Sequence, residues 1–440
     1  MQYKFFPHTE ADIKQMLDKI GLPSLDALYA EVPEEIRFRR DYNLPNAKSE
    51  IEIRNFFANL GGQNKQLTVF AGGGVYDHYT PSIVPYIVSR SEFLTSYTPY
   101  QAEISQGTLH YIFEFQSMMA ELTGLPIANA SMYDGSTATA EAAIMAVASA
   151  KKANKVLVSE TVDDKVLAVI RTYTHFQEVE IEVIPAEDGI TSRTAMQQKL
   201  QQGGVAGVIV QQPNKYGIIE NYEGFADDCH QQKALFVMNS VAADLALLKS
   251  PGELGADIAV GDGQSLGIPM SFGGPSVGYL CCTDKLMRKM PGRIVGQTQD
   301  NRGQRAFVLT LQAREQHIRR EKATSNICSN QSLMALWATI YLSLMGKEGL
   351  KEAAQMSVDG AHYLYEKLIA SGKFQPAFNQ PFFNEFCVKY VGGSLDELQQ
   401  RLLDNGILGG IKVADDVLML AVTEKRTKEE VDLLVSLATK

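Results

Sequence analysis

The sequence lacks an excess of basic residues and has no long apolar run, and each absence excludes a class of protein. It carries 41 Lys and Arg against 51 Asp and Glu, for a net charge of −10. This balance argues against nucleic acid as the main partner, because phosphate binding needs clustered cations. No stretch of 18 apolar residues occurs, and residues 1–9 lack the apolar core of a signal peptide. We therefore expect a cytoplasmic protein with no membrane partner.

Cysteine is also scarce, and its spacing is uninformative for metal binding. The five cysteines are odd in number and none forms a CxxC pair, which disfavours a disulfide framework and a zinc site and fits a reducing compartment. Residues 227–230 (DDCH) are ligand-type residues in sequence. On a helix, however, this pattern is more typical of a solvated face, so we predict no metal site.

A chain of 440 residues is too long for one compact core. The pattern predicts an N-terminal helical arm (residues 1–66), a large α/β domain (67–325) and linking helices with a small C-terminal α+β domain (326–440). Within the large domain, strands and helices alternate, and apolar runs such as residues 205–210 are continuous, as in strands of a mainly parallel sheet. The candidate strands are residues 125–129, 155–159, 181–185, 205–211, 235–239, 257–261 and 276–282.

The two ends of the chain are mostly helical in pattern. In the arm, Thr9 and Asp12 form a capping-box sequence that predicts a helix to Ile20, and another helix is predicted over residues 49–60. Such an arm is expected to pack on a domain or on a partner subunit. For the C-terminal region we predict helices at 330–346, 348–370, 394–405 and 427–440, and strands at 382–391 and 417–422.

The segment 96–107 concentrates polar and aromatic side chains before a predicted amphipathic helix. It contains Tyr97, Thr98, Tyr100, Glu103 and Gln106 within one turn-rich stretch. This is more functional chemistry than an ordinary connection needs. We interpret the segment as part of a binding wall.

A second candidate site begins the alanine-rich helix predicted over residues 137–151. Asp134, Gly135, Ser136 and Thr137 follow a strand, and free N–H groups at such a helix N-terminus suit a phosphate. Alternatively, Asp134 or Ser136 serves only as the N-cap. Asp134 would also repel a phosphate unless its side chain points elsewhere, so the sequence leaves both interpretations open.

Other polar residues have competing interpretations. His78 and His110 could act in acid–base chemistry or be structural. Residues 284–322 contain ten Lys and Arg against four Asp and Glu, a local charge of +6. In this stretch Arg305, Arg314, Arg319 and Arg320 could hold carboxylates or phosphates, or they could form a basic helix face. The GxGxxxG spacing of residues 261–267 does not match a dinucleotide-binding fingerprint.

Several motifs together resemble the glycine cleavage system P-protein family, in its subunit 1 form. They occur in one order over essentially the whole chain, which makes the resemblance specific. The motifs are residues 93–101, 105–109, 129–137, 251–264, 271–275, 309–316 and 381–385.

The resemblance implies the fold type I architecture of pyridoxal-phosphate enzymes, with an arm, a large domain built on a mixed, mostly parallel sheet, and a small C-terminal domain. It implies glycine as substrate, release of CO2, and transfer of the aminomethyl group to the lipoyl arm of the H-protein. It also implies a homologous beta subunit as partner, in an α2β2 heterotetramer.

Gln264 stands where this resemblance places the Schiff-base lysine, and no lysine occurs between Lys249 and Lys285. A glutamine cannot form an imine. We therefore expect the partner to hold pyridoxal phosphate and this chain to be inactive alone. Tyr97, Thr98 and Tyr100 would then reach the partner's site, supported by Glu103 and Gln106. Asp134, Gly135, Ser136 and Thr137 match a phosphate cup that is possibly vestigial, and the basic stretch 284–322 could dock the H-protein.

Two alternatives remain from the sequence. One is a self-sufficient fold type I lyase or transferase that uses another lysine, such as Lys215. The other is a structural pseudoenzyme that stabilises its partner and contributes no chemistry.

Overall fold

The computed structural model describes residues 7–323 and 325–440, and the chain divides into two compact units, residues 1–65 and 66–440. The α-helices are α1 Glu10–Ile20, α2 Glu50–Gly61, α3 Ile83–Val88, α4 Ser91–Leu94, α5 Gln106–Thr123, α6 Gly135–Ser149, α7 Asp164–Thr174, α8 Arg193–Gln201, α9 Phe225–Gln231, α10 Gln316–Arg319, α11 Ser332–Ala370, α12 Leu395–Asp404 and α13 Lys428–Ala438. The strands are β1 Thr68–Val69, β2 Ile127–Ala128, β3 Lys155–Ser159, β4 Glu180–Ile184, β5 Ala186–Glu187, β6 Ile190–Thr191, β7 Val205–Gln212, β8 Leu235–Ser240, β9 Ile258–Asp262, β10 Gly278–Cys282, β11 Ile294–Gln299, β12 Arg305–Thr310, β13 Phe374–Pro376, β14 Glu385–Tyr390, β15 Ile407–Leu408, β16 Ile411–Ala414 and β17 Val417–Ala421.

The first unit is a helical arm. Capping boxes open both α1, through Thr9 and Asp12, and α2, through Ser49 and Glu52, as the sequence predicts for α1. Neither helix buries a side chain, although both carry apolar residues. The exposed apolar side chains of the arm helices include Met16, Ile20, Ile51, Phe56, Phe57 and Leu60.

The second unit is built on a seven-stranded sheet of order β2-β10-β9-β8-β7-β3-β4. Strand β10 is antiparallel to both of its neighbours, and β9, β8, β7, β3 and β4 run parallel to one another. All seven predicted strands are present, with ends shifted by a few residues. The parallel strands are almost continuously buried, because helices cover both faces of such a sheet.

Helix α6 packs against the middle of the sheet. Its small side chains Ala138 and Ala142 are fully buried in one cluster with Val158 and Val260. Because alanine adds little bulk, this helix can lie close to the strands. The helix begins at Gly135, two residues before the predicted start, since Asp134 provides the cap.

A hairpin that the sequence analysis did not predict follows β10. Strands β11 and β12 pair antiparallel from Ile294–Thr310 to Gln299–Arg305. Arg305 therefore lies on a strand, and the interpretation of a basic helix face is wrong for this residue. The turn between the strands contains Asp300, which accepts from the backbone N–H groups of Arg302 and Gln304, and Gly303 with φ 75°.

The C-terminal region begins with α11, which contains a kink at Gly346 (φ 59°, ψ −171°) close to the predicted boundary between two helices. A four-stranded antiparallel sheet of order β13-β14-β17-β16 follows, covered by α12 and α13. Strand β1 pairs with β15. Among residues 7–323 and 325–440, no helix is both long and apolar enough to cross a membrane.

Candidate functional site

Gln264 lies in the turn after β9, and its side-chain amide is fully engaged by backbone groups. Its Oε1 accepts from the N–H of Tyr76 at 2.9 Å, while Nε2 donates to the carbonyls of Tyr76 at 2.9 Å and Ile268 at 2.7 Å. The residue is 4% exposed. Gln264 therefore holds two chain segments together rather than projecting a reactive group into a pocket.

Asp262, at the end of β9, connects Gln264 to the start of α6. Its carboxylate accepts from the N–H groups of Gln264 at 2.8 Å and Gly135 at 2.9 Å, and from the hydroxyl of Ser276 at 2.5 Å. Burial raises the pKa of Asp262, and the hydrogen bonds from Ser276, Gly135 and Gln264 oppose that shift. The carboxylate is thus the hub of a local hydrogen-bond network.

The N-terminus of α6 is closed by the protein's own carboxylates. The N–H of Thr137 donates to Asp134 Oδ1 at 2.8 Å, and the N–H of Gly135 is taken by Asp262. A Cβ at Gly135 would lie 2.8 Å from the backbone nitrogen of Asp262, so the glycine permits direct packing on the end of β9. Two N–H groups that could bind a phosphate are occupied, and two negative charges lie beside them.

These residues do not fit pyridoxal phosphate. Gln264 has no amine that could form an imine. At the helix N-terminus, a phosphate would meet the carboxylates of Asp134 and Asp262. Asp134 acts as the N-cap, which was one of the two alternatives from the sequence.

Tyr76 links Gln264 to a buried acidic residue of the C-terminal sheet. Its hydroxyl donates to Glu385 Oε2 at 3.0 Å, and the N–H of Gly73 donates to Glu385 Oε1 at 2.7 Å. Burial raises the pKa of Glu385 to about 7. Burial also raises the pKa of nearby Asp244 well above its ordinary value. The neighbourhood of Gln264 is therefore dry, and such burial disfavours any charged group that lacks a partner, an additional anion included.

The predicted site residues of segment 96–107 differ in their exposure to solvent. Tyr97 is 82% exposed and Tyr100 is 58% exposed, whereas Pro99 between them is buried. Thr98 is half-buried and Glu103 is exposed. Large exposed aromatic side chains on an anchored loop are typical of residues that contact another molecule.

Two neighbouring contacts anchor that segment. Gln106, the first residue of α5, donates to the carbonyl of Phe307 at 2.8 Å and accepts from its N–H at 2.9 Å. The guanidinium of Arg293 donates to the hydroxyl of Tyr100 at 3.2 Å and lies 5.4 Å from its ring centre. Gln106 is therefore a structural tie to β12, and Arg293 positions Tyr100.

The remaining candidate residues have structural partners. His78 is buried and its Nδ1 lies 2.7 Å from Glu424, while His110 stacks on Phe307. Lys215 forms an ion pair with Asp164 at 2.9 Å. In the 227–230 run, Asp228 pairs with Arg193 at 2.7 Å, and His230 pairs with Asp257 at 2.8 Å.

Comparison with known proteins gives the family of the chain. The family model for the glycine cleavage system P-protein matches residues 3–438. A relative from Carboxydothermus hydrogenoformans, a probable glycine dehydrogenase (decarboxylating) subunit 1, is 49% identical over 441 residues, covering 98% of each chain. A protein of the same description from Bacillus pumilus is 49% identical over 444 residues, covering 99% of this chain and 98% of its own length.

The chain belongs to the glycine cleavage system P-protein family. A crystal structure of glycine decarboxylase (P-protein) in inhibitor-bound form has a TM-score of 0.88 to this chain and 41% identity, covering 100% of this chain and 99% of its own. A sphingosine-1-phosphate lyase from Burkholderia pseudomallei shares the fold alone, with a TM-score of 0.67 at 12% identity over 92% of each chain. The predicted family and the fold type I class are both confirmed.

In this P-protein family member, sequence analysis overlooked three residues near the candidate sites. Asp262 could have been noticed as an acidic residue ending a buried strand, two positions before Gln264. Glu385 lies inside a motif that carried the resemblance, but nothing local indicated its contact with Tyr76. Arg293 is, from the sequence, only one cation of the basic stretch 284–322, because its contact with Tyr100 joins residues 193 positions apart.

Proposed function

We propose that this chain is subunit 1 of a two-chain glycine decarboxylase and that it has no decarboxylase activity alone. With its beta partner it would act on glycine, release CO2 and pass the aminomethyl group to the lipoyl arm of the H-protein. The observation that carries this proposal is the engagement of the Gln264 amide by Tyr76 and Ile268 at the position expected for the Schiff-base lysine. The partner would supply pyridoxal phosphate and with it the electron sink for loss of CO2.

In this proposal, Tyr97, Thr98 and Tyr100 contribute to the active site of the partner chain. The exposure of both tyrosines supports this role, because more than half of each side chain is accessible to another chain. Arg293 holds the hydroxyl of Tyr100, and Gln106 holds the beginning of α5. Glu103 is exposed on the same segment and would face the same site. Preorganised anchors of this kind reduce the cost of ordering a loop on binding.

The exposed apolar side chains of the helical arm are evidence for a permanent partner subunit. Helices α1 and α2 have no buried side chain and expose large apolar residues such as Phe56 and Phe57. Apolar surface of this extent is typical of a protein–protein interface. We propose that the arm packs on another subunit in an α2β2 heterotetramer. The cup formed by Asp134, Gly135, Ser136 and Thr137 would be vestigial, because carboxylates occupy its N–H groups.

The partner requirement is tested by purifying this chain alone and together with the beta subunit. Each sample is incubated with pyridoxal phosphate, reduced with borohydride and analysed by mass spectrometry for covalently retained cofactor. We expect the cofactor on the beta chain and none on this chain. Covalent cofactor on Lys215 or any other lysine of the isolated chain, with glycine–CO2 exchange, would instead establish a self-sufficient enzyme.

A scaffold without any chemical contribution is the second candidate, and the structural role of Gln264 favours it as much as it favours an accessory subunit. The two are distinguished by the tyrosines of segment 96–107. An accessory subunit loses exchange activity when Tyr97 and Tyr100 are changed in an intact complex, and a scaffold does not.

A further inference from the structure

A basic cavity lies between the loop before β11 and the segment that follows β12. Four cationic side chains and one anionic side chain line it, for a formal charge of +3: Arg288, Lys289, Arg293, Arg314 and Glu315. The cavity encloses about 400 Å³ of space between protein atoms, part of it open to solvent. The volume open to the centre of a water-sized molecule is about 30 Å³, which admits only a group of a few atoms.

Arg293 is the buried cation of this cavity, and one of its donors is unused. The residue is 5% exposed, and among the described residues its Nε–H has no hydrogen-bond partner. The nearest carboxylate oxygen, Glu315 Oε2, lies 3.8 Å from Nε, which is too long for a hydrogen bond. A buried charged donor without a partner is costly, so a missing acceptor is the simplest explanation.

Arg314 provides an internal comparison. Its guanidinium donates to the backbone carbonyls of Leu311 at 3.2 Å, Gly292 at 3.0 Å and Met290. Its hydrogen bonds therefore shape the wall of the cavity, and it contributes charge to the site. Arg288 and Lys289 are exposed at the rim and add to the same positive field. Of the four cations that line this cavity, Arg293 alone combines burial with a donor that has no partner among the described residues.

We propose that this cavity binds the carboxylate group of a small molecule, with the Nε–H of Arg293 as the principal donor. A guanidinium matches a planar carboxylate in geometry as well as in charge. The carboxylate of Glu315 lies 3.8 Å from Nε, so a group of the proposed kind already lies near this donor. Glu315 would therefore compete with the carboxylate of a ligand for Arg293. The hydroxyl of Tyr100, held by the same guanidinium at 3.2 Å, lies beside the bound group.

This site belongs to the chain itself and does not depend on the proposed decarboxylase function. It is tested on the full chain without a partner, by isothermal titration with acetate at constant ionic strength and with inorganic phosphate as the tetrahedral comparison. We expect saturable binding of acetate, weaker binding of phosphate, and a loss of about tenfold or more in acetate affinity for Arg293→Gln. The matched control is Arg302→Gln, which removes the same charge from the exposed hairpin turn and is expected to leave the affinity unchanged.

A second variant keeps the test decisive if Arg293→Gln does not fold. Glu315→Gln removes the competing carboxylate, so acetate should bind more tightly to this variant than to the wild type. The proposal is overturned if the wild-type chain shows no saturable acetate binding, or if phosphate binds more tightly than acetate. Equal acetate affinity in the wild type and Glu315→Gln also overturns it, as does equal affinity in a folded Arg293→Gln variant.

Discussion

The side chain of Gln264 forms hydrogen bonds with both backbone polar groups of Tyr76, each at 2.9 Å. The side-chain amide thus pairs with the backbone of Tyr76 as one strand residue pairs with another. The two residues are 188 positions apart in the sequence. A lysine could donate to the carbonyl of Tyr76 but could not accept from its N–H. One residue at this position therefore cannot serve both as this tie and as a free amine.

Gln264→Lys is expected to destabilise the chain without making it a pyridoxal-phosphate enzyme. The change leaves the buried N–H of Tyr76 without its acceptor and places an ammonium in a position that is 4% exposed. We expect a loss of about 2–4 kcal/mol in the free energy of unfolding, measured with urea. Borohydride reduction in the presence of pyridoxal phosphate should leave no cofactor on residue 264.

The control for this change is Gln201→Lys, because Gln201 is an exposed residue at the end of α8. It introduces the same side chain and should alter stability by less than about 0.5 kcal/mol. A Gln264→Lys chain that is as stable as the wild type and retains cofactor covalently would contradict the structural role assigned to the glutamine.

Tyr97→Phe and Tyr100→Phe are expected to lower glycine–CO2 exchange in the complex with the beta subunit. Each substitution removes a hydroxyl and keeps the ring, so subunit assembly should persist. A hydroxyl that stabilises the transition state by about 1.4 kcal/mol accounts for a tenfold change in rate, and we expect a loss of at least about that size. The exchange of labelled CO2 into glycine measures it.

Tyr86→Phe is the matched control, since Tyr86 is 64% exposed on α3, outside the segment. It should retain wild-type exchange. If the Tyr97→Phe, Tyr100→Phe double variant also turned over at the wild-type rate in an intact complex, the chain would be a scaffold.

Periodicity and residue type were enough to predict the seven strands of the central sheet, because each is a short apolar run bounded by turn residues. They were not enough to predict β11–β12, where Gln297, Thr298 and Gln299 make the run polar and a basic composition suggested a helix face. That hairpin is held by side chains from α5, a helix about 180 residues earlier in the chain. Such long-range ties leave no local signal.

The candidate sites also combine features that have a local sequence signal with contacts that form only between distant residues. The importance of segment 96–107 and of Gln264 could be inferred from residue type and from the family motifs. The partners of those residues could not be inferred, because Arg293, Glu385 and Tyr76 reach them only after the chain has folded. The N-cap role of Asp134 was one of the interpretations that the sequence left open, since an aspartate three residues before Thr137 is a local pattern.

Gln116 should be among the residues of α5 that are most sensitive to substitution. Its side chain is 7% exposed and forms two hydrogen bonds of 2.9 Å with the backbone of Val295, in β11. Gln116→Leu keeps the size but leaves the N–H and C=O of Val295 unpaired. We expect a loss of about 2–4 kcal/mol in the free energy of unfolding. Ser117→Ala, at an exposed neighbouring position, is the control and should cost less than about 1 kcal/mol; equal losses would contradict the tie.

Glu385 is expected to make stability depend on pH. Burial raises the pKa of its carboxyl to about 7 from an ordinary value of 4.5. Between these values the folded chain binds more protons than the unfolded chain, so this group makes the folded state less stable as pH rises from about 4.5 to 7, by at most about 3 kcal/mol. Glu385→Gln keeps an oxygen acceptor for the N–H of Gly73 and removes the titration.

The stability of Glu385→Gln relative to the wild type should therefore increase between pH 5 and about pH 7.5, as measured by urea unfolding at each pH. Glu366→Gln, at an exposed position of α11, controls for the general effect of removing one negative charge. A difference between Glu385→Gln and the wild type that stays constant with pH would show that the carboxyl titrates normally in the folded chain.

Arg319 and Arg320 test the proposed docking of the H-protein on the basic stretch 284–322. Both are exposed, and this stretch is cationic in a chain whose net charge is −10. The double reversal Arg319→Glu, Arg320→Glu should weaken binding of an acidic H-protein to the α–β complex by about tenfold or more at low salt. The effect should be smaller at high salt, because exposed charges are screened.

The control is the double variant Lys347→Glu, Lys351→Glu, which makes the same change in charge at exposed positions of α11 and should leave affinity unchanged. Since both double variants alter the net charge equally, a loss confined to Arg319 and Arg320 would locate the docking surface, and equal affinities for the two variants would exclude this surface.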